Sequence, residues 1–272
     1  MARRQEQGSV LAVDVGNTVT RLGLFADGAL ASTWEATTPE RLTADEARQV
    51  VEGFLDARTR QAARAGEEGP LRPADAILSC VVPDLEGVWA AALGAECGRR
   101  PLVVGPGLKT GVRMRYDDPA EVGADRIADV VAARADYEPP LAVVDLGTTT
   151  NIAVIDAEGT FVGGIIAPGL ALGAASLARA AARLPMIEIA APASAIGTST
   201  RAAMRSGVVL GEVARIDGLL DLVAEELGDE PGVVVTGADA AAMAALLKHG
   251  ARADDTLTLR GLHLLYRMNR GK

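Results

Sequence analysis

The chain has 272 residues, and its 27 lysines and arginines against 36 aspartates and glutamates give a formal net charge of −9. A composition of 49% hydrophobic and 23% charged residues excludes a disordered chain, and the length favours about two domains. The acidic balance argues against a nucleic-acid partner, because binding to a phosphate backbone requires a basic face.

Sites that depend on cysteine or histidine are disfavoured. Cys80 and Cys97 form no CxxC pair, so we expect reduced thiols and a cytoplasmic location rather than a disulfide framework or a zinc site. His249 and His263 are the only histidines, which argues against a zinc enzyme or a Ser–His–Asp enzyme. We expect His263 to have a packing or surface role in a C-terminal helix.

Secretion and membrane insertion are also disfavoured. Residues 1–9 contain no apolar segment of the kind found in a signal peptide. The longest apolar tract, residues 163–184, is interrupted by Pro168, several glycines and Arg179. We therefore expect no membrane partner.

The predicted elements of the first half alternate strands with helices. Residues 10–30, VLAVDVGNTVTRLGLFADGAL, show two apolar runs around a tight turn, which predicts a β-hairpin. A helix, a Pro/Gly-bearing connector, a strand, a helix, a strand, a loop, a strand and a helix follow, over residues 42–64, 66–73, 76–82, 84–98, 101–104, 105–111, 112–116 and 123–135.

The second half repeats this design. Residues 141–160, LAVVDLGTTTNIAVIDAEGT, predict another hairpin. Two helices, a strand and a third helix follow over residues 172–182, 199–227, 232–235 and 240–248. Strands interleaved with helices predict an α/β fold in which helices pack on mixed sheets.

The two hairpins form an internal repeat with an offset of 131 positions, close to half the chain. The matched pairs are Asp14 with Asp145, Gly16 with Gly147, Thr18 with Thr149 and Gly28 with Gly159. A carboxylate followed by glycine and hydroxyl residues suits phosphate and a cation, because the backbone amides can approach phosphate oxygens closely. One such turn alone is more typical of a capped hairpin. Two copies favour a split nucleotide site.

This arrangement resembles the superfamily of acetate kinases, sugar kinases, heat-shock ATPases and actin. The resemblance implies two duplicated actin-like, or ribonuclease H-like, domains with mixed sheets flanked by helices and an ATP cleft between them. We expect these domains to span residues 1–120 and 121–272, each with one phosphate loop. The two turns do not distinguish among sugar kinases, actin-like ATPases and exopolyphosphatases.

Residues 116–126, YDDPAEVGADR, contain a second group of candidate residues. Pro119 and Gly123 precede a predicted helix, so Asp125 and Arg126 fall in its first turn. A carboxylate there can accept a proton from a substrate hydroxyl, and a guanidinium beside it can bind a substrate carboxylate. Taken alone, the pair also fits a helix-capping acid with a surface arginine.

The order of motifs from residue 10 to residue 269 resembles type III pantothenate kinase, and GADR at residues 123–126 is the most specific of them. The other motifs are DVGNT, SCVVPDL, DLGTTT, GGIIAPG, LP with a glutamate three residues on, IG, RSG and TLTLRGL. The resemblance implies transfer of phosphate from ATP to the primary hydroxyl of pantothenate, the first step of coenzyme A biosynthesis, by a homodimer.

The resemblance also implies roles for individual residues. Asp125 would accept the proton, Thr148 would contact ATP phosphate, and Asp145 would bind K⁺ or NH₄⁺. Asp14 would organise Mg²⁺ or another divalent cation through water. The ATP phosphate loop would comprise Asp14, Val15, Gly16, Asn17, Thr18, Val19, Thr20 and Arg21. The pantothenate pocket would be lined by Tyr116, Gly123, Ala124, Asp125 and Arg126.

Lysine is scarce, with only Lys109, Lys248 and Lys272 in the chain. Residues 105–110, GPGLKT, lack the glycine before the lysine and the spacing of a P-loop, so we reject them as one. Charge on transferred phosphate would therefore be neutralised by bound cations, backbone amides and arginines.

Several positions depart from the family pattern. Asn151 and Ala153 replace a threonine and an aspartate that usually follow the second turn, and Ala181 and Ala182 replace the usual Thr-Ala pair. Thr198 and Ala238 replace the last residues of the usual IGK and TGG motifs. A lost hydroxyl contact costs about 0.5–1.5 kcal/mol, so we expect weakened pantothenate affinity with the reaction class retained. A catalytically weak or regulatory homologue, an exopolyphosphatase and a sugar kinase are the alternatives.

Overall fold

The computed structural model describes residues 8–65, 72–181 and 183–270. Predictions for residues 1–7, for the connector at 66–71 and for Ala182 lie outside the described residues. The chain forms two compact units. Unit 1 comprises Met1–Gly111, Ala120–Ala132 and Thr258–Lys272, and unit 2 comprises Val112–Pro119 and Ala133–Leu257.

Unit 1 is built on a five-stranded mixed sheet in the order β3-β2-β1-β4-β5. Its strands are β1 Val10–Val15, β2 Val19–Ala26, β3 Ala29–Thr37, β4 Asp75–Cys80 and β5 Leu102–Val103. The helices are α1 Ala44–Ala65, α2 Pro83–Cys97, the first part of α3 Ala124–Asp136 and most of α7 Leu257–Arg270. Strand β1 is buried along its whole length, since it pairs antiparallel with β2 and parallel with β4.

The limits of α1 and α2 follow from local chemistry. Thr43 and Glu46 form a capping box at the start of α1, where the Thr43 amide donates to the Glu46 carboxylate at 2.8 Å and the Glu46 amide donates to the Thr43 hydroxyl at 3.3 Å. Pro83 begins α2, and Gly98 ends it with a φ of 67°, a left-handed conformation that favours glycine. Both helices pack on the sheet through buried apolar side chains, including those of Val51 and Trp89.

The C-terminal helix α7 packs against α3 and the start of β4, which explains why both ends of the chain belong to unit 1. The Thr258 hydroxyl donates to the buried Asp129 carboxylate at 2.7 Å. A side chain at Gly261 would overlap the Ala128 carbonyl oxygen, so the two helices approach closely. The Arg270 guanidinium binds both oxygens of buried Asp75 at 2.7 and 2.9 Å.

His263 on α7 is 6% exposed and stacks on Phe25, with ring centroids 4.1 Å apart. Its expected packing role agrees with this position. Burial lowers the pKa of His263 from 6.5 to about 4, and the nearby positive charge of Arg267 acts in the same direction. The imidazole is therefore neutral in the folded protein near pH 6, where unfolded histidine begins to bind a proton.

We expect the stability of the protein to fall between about pH 6.5 and pH 4, because the unfolded chain binds a proton that folded His263 excludes. A His263→Phe variant should show a smaller decrease in Tm between pH 7 and pH 4.5, by a few degrees. Thermal melts followed by circular dichroism measure this difference. The same melts on a His249→Gln variant serve as the control, and identical pH dependence in wild type and His263→Phe would contradict the expectation.

Unit 2 repeats the sheet of unit 1, with strand order β10-β9-β6-β7-β8. Its strands are β6 Leu141–Leu146, β7 Thr149–Ile155, β8 Phe161–Pro168, β9 Gly232–Gly237 and β10 Arg252–Ala253. Strand β6 pairs antiparallel with β7 and parallel with β9, as β1 pairs with β2 and β4. The internal repeat seen in the sequence is therefore a repeat of sheet topology.

Helices of unit 2 are α4 Leu170–Ala180, α5 Thr200–Leu227 and α6 Ala240–Ala244. The Ser199 hydroxyl caps α5 by accepting from the Ala202 amide at 3.2 Å, and Gly228 ends this helix with a φ of 71°. Buried side chains of α5, including Val209 and Ile216, form the core of the unit with the sheet and α6.

The predicted alternation of strands and helices is confirmed, with two corrections. Residues 112–116 were expected to form a strand, but only Met114 makes a bridge, to Phe161 at the start of edge strand β8. Residues 240–248 were expected to be helical, but α6 ends at Ala244, and Lys248 instead donates its backbone amide to Asp217 on α5 at 3.1 Å. Both errors occur where contacts with another element replace local preference.

The expected domain boundary between residues 120 and 121 stays a prediction about the duplicated halves. The two compact units exchange two segments across it, since residues 120–132 and 258–272 lie in unit 1. No helix within the described part of the chain is long and apolar enough to cross a membrane.

Candidate functional site

The first phosphate-type turn lies at the carboxyl end of β1 in unit 1. Asp14 is 3% exposed on this strand, while Asn17 and Thr18 at the tip of the turn are exposed. The turn is closed by the Gly16 amide, which donates to the Val19 carbonyl at 3.0 Å. A side chain at Gly16 would lie 2.9 Å from that carbonyl oxygen, so the turn requires glycine. Thr20 is buried, and its hydroxyl lies 2.8 Å from that of Thr38.

The predicted base lies at the same edge of the unit 1 sheet. Val81 follows β4 and donates its amide to the Val15 carbonyl at 3.0 Å, which joins the ends of β1 and β4. A side chain at Gly123 would contact Val81 at 3.8 Å and would lie 2.5 Å from an Asp125 carboxylate oxygen. The start of α3 therefore contacts the residue that is hydrogen-bonded to the first turn. A glycine before Asp125 leaves space for the carboxylate.

The other predicted pantothenate residues have different environments. Ala124 and Asp125 are half-buried, and Arg126 is 7% exposed, which is unusual for arginine and contrasts with a simple surface role. The Arg126 amide donates to the Asp125 carboxylate at 2.8 Å. Tyr116 belongs to unit 2, where its ring stacks on Phe161 with centroids 5.8 Å apart.

The second turn lies at the carboxyl end of β6 in unit 2. Asp145 is half-buried, Gly147 and Thr148 are exposed, and the Gly147 amide donates to the Thr149 carbonyl at 3.0 Å. Gly237, at the end of β9, has a φ of 89° and faces this turn. A side chain there would lie 2.8 Å from an Asp145 carboxylate oxygen and would overlap the Leu146 carbonyl oxygen. Gly237 thus leaves room beside two oxygen atoms.

The two turns differ in length by one residue. Val15 pairs with Thr20 across four residues, whereas Leu146 pairs with Thr150 across three. Thr150 is therefore the counterpart of Thr20, and Thr148 rather than Thr149 is the counterpart of Thr18. The offset returns to 131 at Gly28 and Gly159, because the next hairpin loop is one residue longer in unit 2.

The oxygen atoms at these turns fit the implied cations. Mg²⁺ in kinase sites is bound by one or two carboxylates together with waters and substrate phosphates, which agrees with the single Asp14 carboxylate beside a turn. The Asp145 carboxylate and the Leu146 carbonyl are ligands suited to K⁺ or NH₄⁺. Over residues 8–65, 72–181 and 183–270, no three His, Cys, Asp or Glu side chains form a group suited to a metal ion.

Cys80 ends β4 beside the first turn, where it pairs in register with Val15. It is a free thiol and donates to the Val82 carbonyl at 3.2 Å. Burial raises the pKa of Cys80 to about 11, and the charges of Glu86 and Asp14 raise it further. The thiol is therefore protonated at neutral pH and is a poor nucleophile.

Sequence reasoning did not identify two residues that support the second turn. Thr150 is 2% exposed, and its hydroxyl donates to Glu212 on α5 at 2.6 Å. Glu212 is 5% exposed and lies on the helix face that carries Val209, Val213 and Ile216. A glutamate at an apolar position of an amphipathic helix was the available signal.

A sequence profile of the type III pantothenate kinase family matches residues 10–222. The type III pantothenate kinase of Anaeromyxobacter dehalogenans (strain 2CP-C) is 38% identical over 261 residues, which cover 96% of this chain and 100% of the relative. That of Exiguobacterium sibiricum (strain DSM 17290 / CCUG 55495 / CIP 109462 / JCM 13490 / 255-15) is 39% identical over 262 residues, with 96% and 100% coverage.

Among solved structures, the ethanolamine utilization protein EutJ from Carboxydothermus hydrogenoformans superposes with a TM-score of 0.54. It is 18% identical, and the match covers 94% of this chain and 89% of that chain. At this identity the likeness concerns the fold alone. The expected α/β fold of actin-like ATPases and sugar kinases, with two mixed five-stranded sheets flanked by helices, is confirmed.

Proposed function

The chain belongs to the type III pantothenate kinase family, and on this premise we propose that it transfers the γ-phosphoryl group of ATP to the primary hydroxyl of pantothenate. The products would be ADP and 4′-phosphopantothenate, and the reaction would begin coenzyme A biosynthesis. Phosphoryl transfer depends mainly on positioning and on neutralising charge, so it suits a site built from turns, a carboxylate and an arginine.

One observation of the structure carries most weight in assigning roles. The Asp14 turn and the start of α3 at Asp125 meet the same residue, Val81, at one edge of the unit 1 sheet. A phosphate-binding turn and a proton acceptor must both be near the reacting atoms, and this arrangement supports that requirement. A helix-capping acid with a surface arginine would not require Arg126 to be buried.

In the proposed reaction, Asp125 accepts the proton from the pantothenate hydroxyl as that oxygen bonds to the γ-phosphorus atom. The bond between the γ-phosphorus and the oxygen that bridges it to the β-phosphate breaks, and ADP leaves. Arg126 binds the pantothenate carboxylate, and Tyr116, Gly123 and Ala124 line its pocket. Their identity as pocket residues is supported by the family motif.

The first turn, residues 14–21, holds ATP phosphates through backbone amides and the hydroxyls of Thr18 and Thr20, and Thr148 contacts phosphate from the second turn. Asp14 holds a divalent cation through water, and Asp145 with the Leu146 carbonyl holds K⁺ or NH₄⁺. When bound, such cations neutralise negative charge on the phosphate oxygens. The half-buried carboxylate beside Gly237 supports the Asp145 assignment.

The proposal includes a homodimer and a cytoplasmic location, both supported by family membership and by the two free thiols. Ala181 ends α4, where its amide donates to the Leu177 carbonyl at 3.2 Å. Weak pantothenate affinity, expected from Ala181, Asn151 and Ala153, stays a prediction that a KM measurement tests.

We expect ADP release to require pantothenate and to be faster in K⁺ or NH₄⁺ than in Na⁺. A coupled assay for ADP, run with and without pantothenate in each salt, measures both requirements. ATP binding without turnover would indicate a regulatory homologue. Phosphate release that is independent of pantothenate would indicate an exopolyphosphatase-like activity, and either result would contradict the proposed function.

A further inference from the structure

Glu212 is a buried carboxylate in the core-facing side of α5, and its partners all support the second turn. One carboxylate oxygen accepts the Thr150 hydroxyl at 2.6 Å, and the other is paired with Arg215 one helical turn along. Arg215 also donates to the Pro168 carbonyl at 2.5 Å, at the end of β8. A buried charge of this kind is stabilised only when its oxygens are paired, and both are paired here.

The turn itself is held at the other side by β8. Pro168 pairs in register with Thr149, and the Gly169 amide donates to the Thr148 carbonyl at 3.1 Å. Glu212 therefore contacts the strand that leaves the turn directly, and through Arg215 it contacts the strand that closes over the turn. The two exposed residues of the turn lie between these fixed points.

Comparison of the two repeats shows why a carboxylate is needed. In unit 1, the Thr38 amide donates to the Thr18 carbonyl at 2.8 Å, and the Thr38 hydroxyl partners Thr20. Gly169 makes the equivalent backbone contact in unit 2, but a side chain there would overlap the Gly147 carbonyl oxygen. The second repeat has no room for a hydroxyl at this position, and Thr150 uses Glu212 on α5 instead.

We infer that Glu212 is a positioning residue for nucleotide phosphate: it fixes the second turn through Thr150 and Arg215, so that Thr148 meets the phosphate in one orientation. This inference rests on the proposed function, since it concerns how the same site binds ATP. Glu212 itself does not touch a reacting group. Its removal should impair the ATP side of the reaction and leave pantothenate binding unchanged.

Steady-state kinetics of three variants test the inference. Glu212→Leu removes both contacts, and we expect KM for ATP to rise about tenfold or more, with kcat also reduced. Glu212→Gln keeps an acceptor for Thr150, so its KM for ATP should change about threefold at most. Thr150→Val keeps the side-chain shape without the hydroxyl and should resemble Glu212→Leu. KM for pantothenate should stay within about twofold of wild type in all three.

Glu225→Gln is the matched control, because Glu225 is exposed near the end of the same helix. A merely structural role for Glu212 would reduce the fraction of folded enzyme, which lowers apparent kcat and leaves both KM values unchanged. That pattern, or an equal rise in both KM values, would overturn the inference. If Glu212→Leu does not fold, Thr150→Val decides: an ATP KM within twofold of wild type overturns the inference. Absence of pantothenate-dependent turnover in wild type would contradict the proposed function instead.

Discussion

Replacement of Asp125 by asparagine is expected to lower kcat for pantothenate phosphorylation by about 100-fold or more. Asparagine has nearly the same shape and can still accept the Arg126 amide that lies 2.8 Å from the carboxylate, so the start of α3 should be retained. It cannot accept the proton of the substrate hydroxyl. ATP binding should be unchanged, because the Asp14 turn is formed by β1 and β2.

Initial-rate measurements together with ATP titration by calorimetry separate these two effects. Asp136→Asn is the matched control, since it makes the same chemical change at the exposed far end of α3. Its kcat should equal that of wild type. Near-normal turnover of Asp125→Asn would exclude Asp125 as the proton acceptor, and loss of ATP binding would indicate a structural role for this carboxylate.

Replacement of Asp145 by asparagine is expected to lower activity in K⁺ by about tenfold or more and to remove the difference between K⁺ and Na⁺. A neutral amide retains one oxygen beside Gly237 but lacks the negative charge that stabilises a monovalent cation near the Leu146 carbonyl. KM for pantothenate should change little, because the pantothenate residues follow from a different motif.

Titration of wild type and Asp145→Asn with KCl, NH₄Cl and NaCl at constant ionic strength measures this effect. Asp255→Asn, at an exposed position of the same unit, is the control and should respond to K⁺ as wild type does. An unchanged K⁺ response in Asp145→Asn would show that Asp145 supports the turn without binding the cation.

The two hairpins were predictable from sequence because their information is local. An apolar run, an Asp-x-Gly turn and a second apolar run specify each hairpin, and the pairing of β1 with β2 and of β6 with β7 agrees with this pattern. The start of α3 was equally readable, since Pro119 and Gly123 precede it. Asp125 therefore lies within one residue of where the sequence predicted a helix start.

Features that depend on contacts between distant segments were not predictable. The one-residue difference between the turns is visible only in the register of the strands, so Thr18 was matched with Thr149 rather than Thr148. The association of Thr258 with Asp129 determines which unit contains the C-terminal helix, and these residues are 129 positions apart. Glu212 reaches Thr150 across 62 positions. None of these contacts has a signature in local periodicity.

Pantothenate phosphorylation is tested most directly by the mass of the product formed by wild-type protein from ATP, Mg²⁺, K⁺ and pantothenate. We expect a product with the mass of pantothenate plus one phosphoryl group, formed in equal amount to the ADP released. The same reaction with Asp125→Asn should yield almost none of it. ADP formation without this product, or no ADP formation while ATP binds, would contradict the assignment of this chain as a pantothenate kinase.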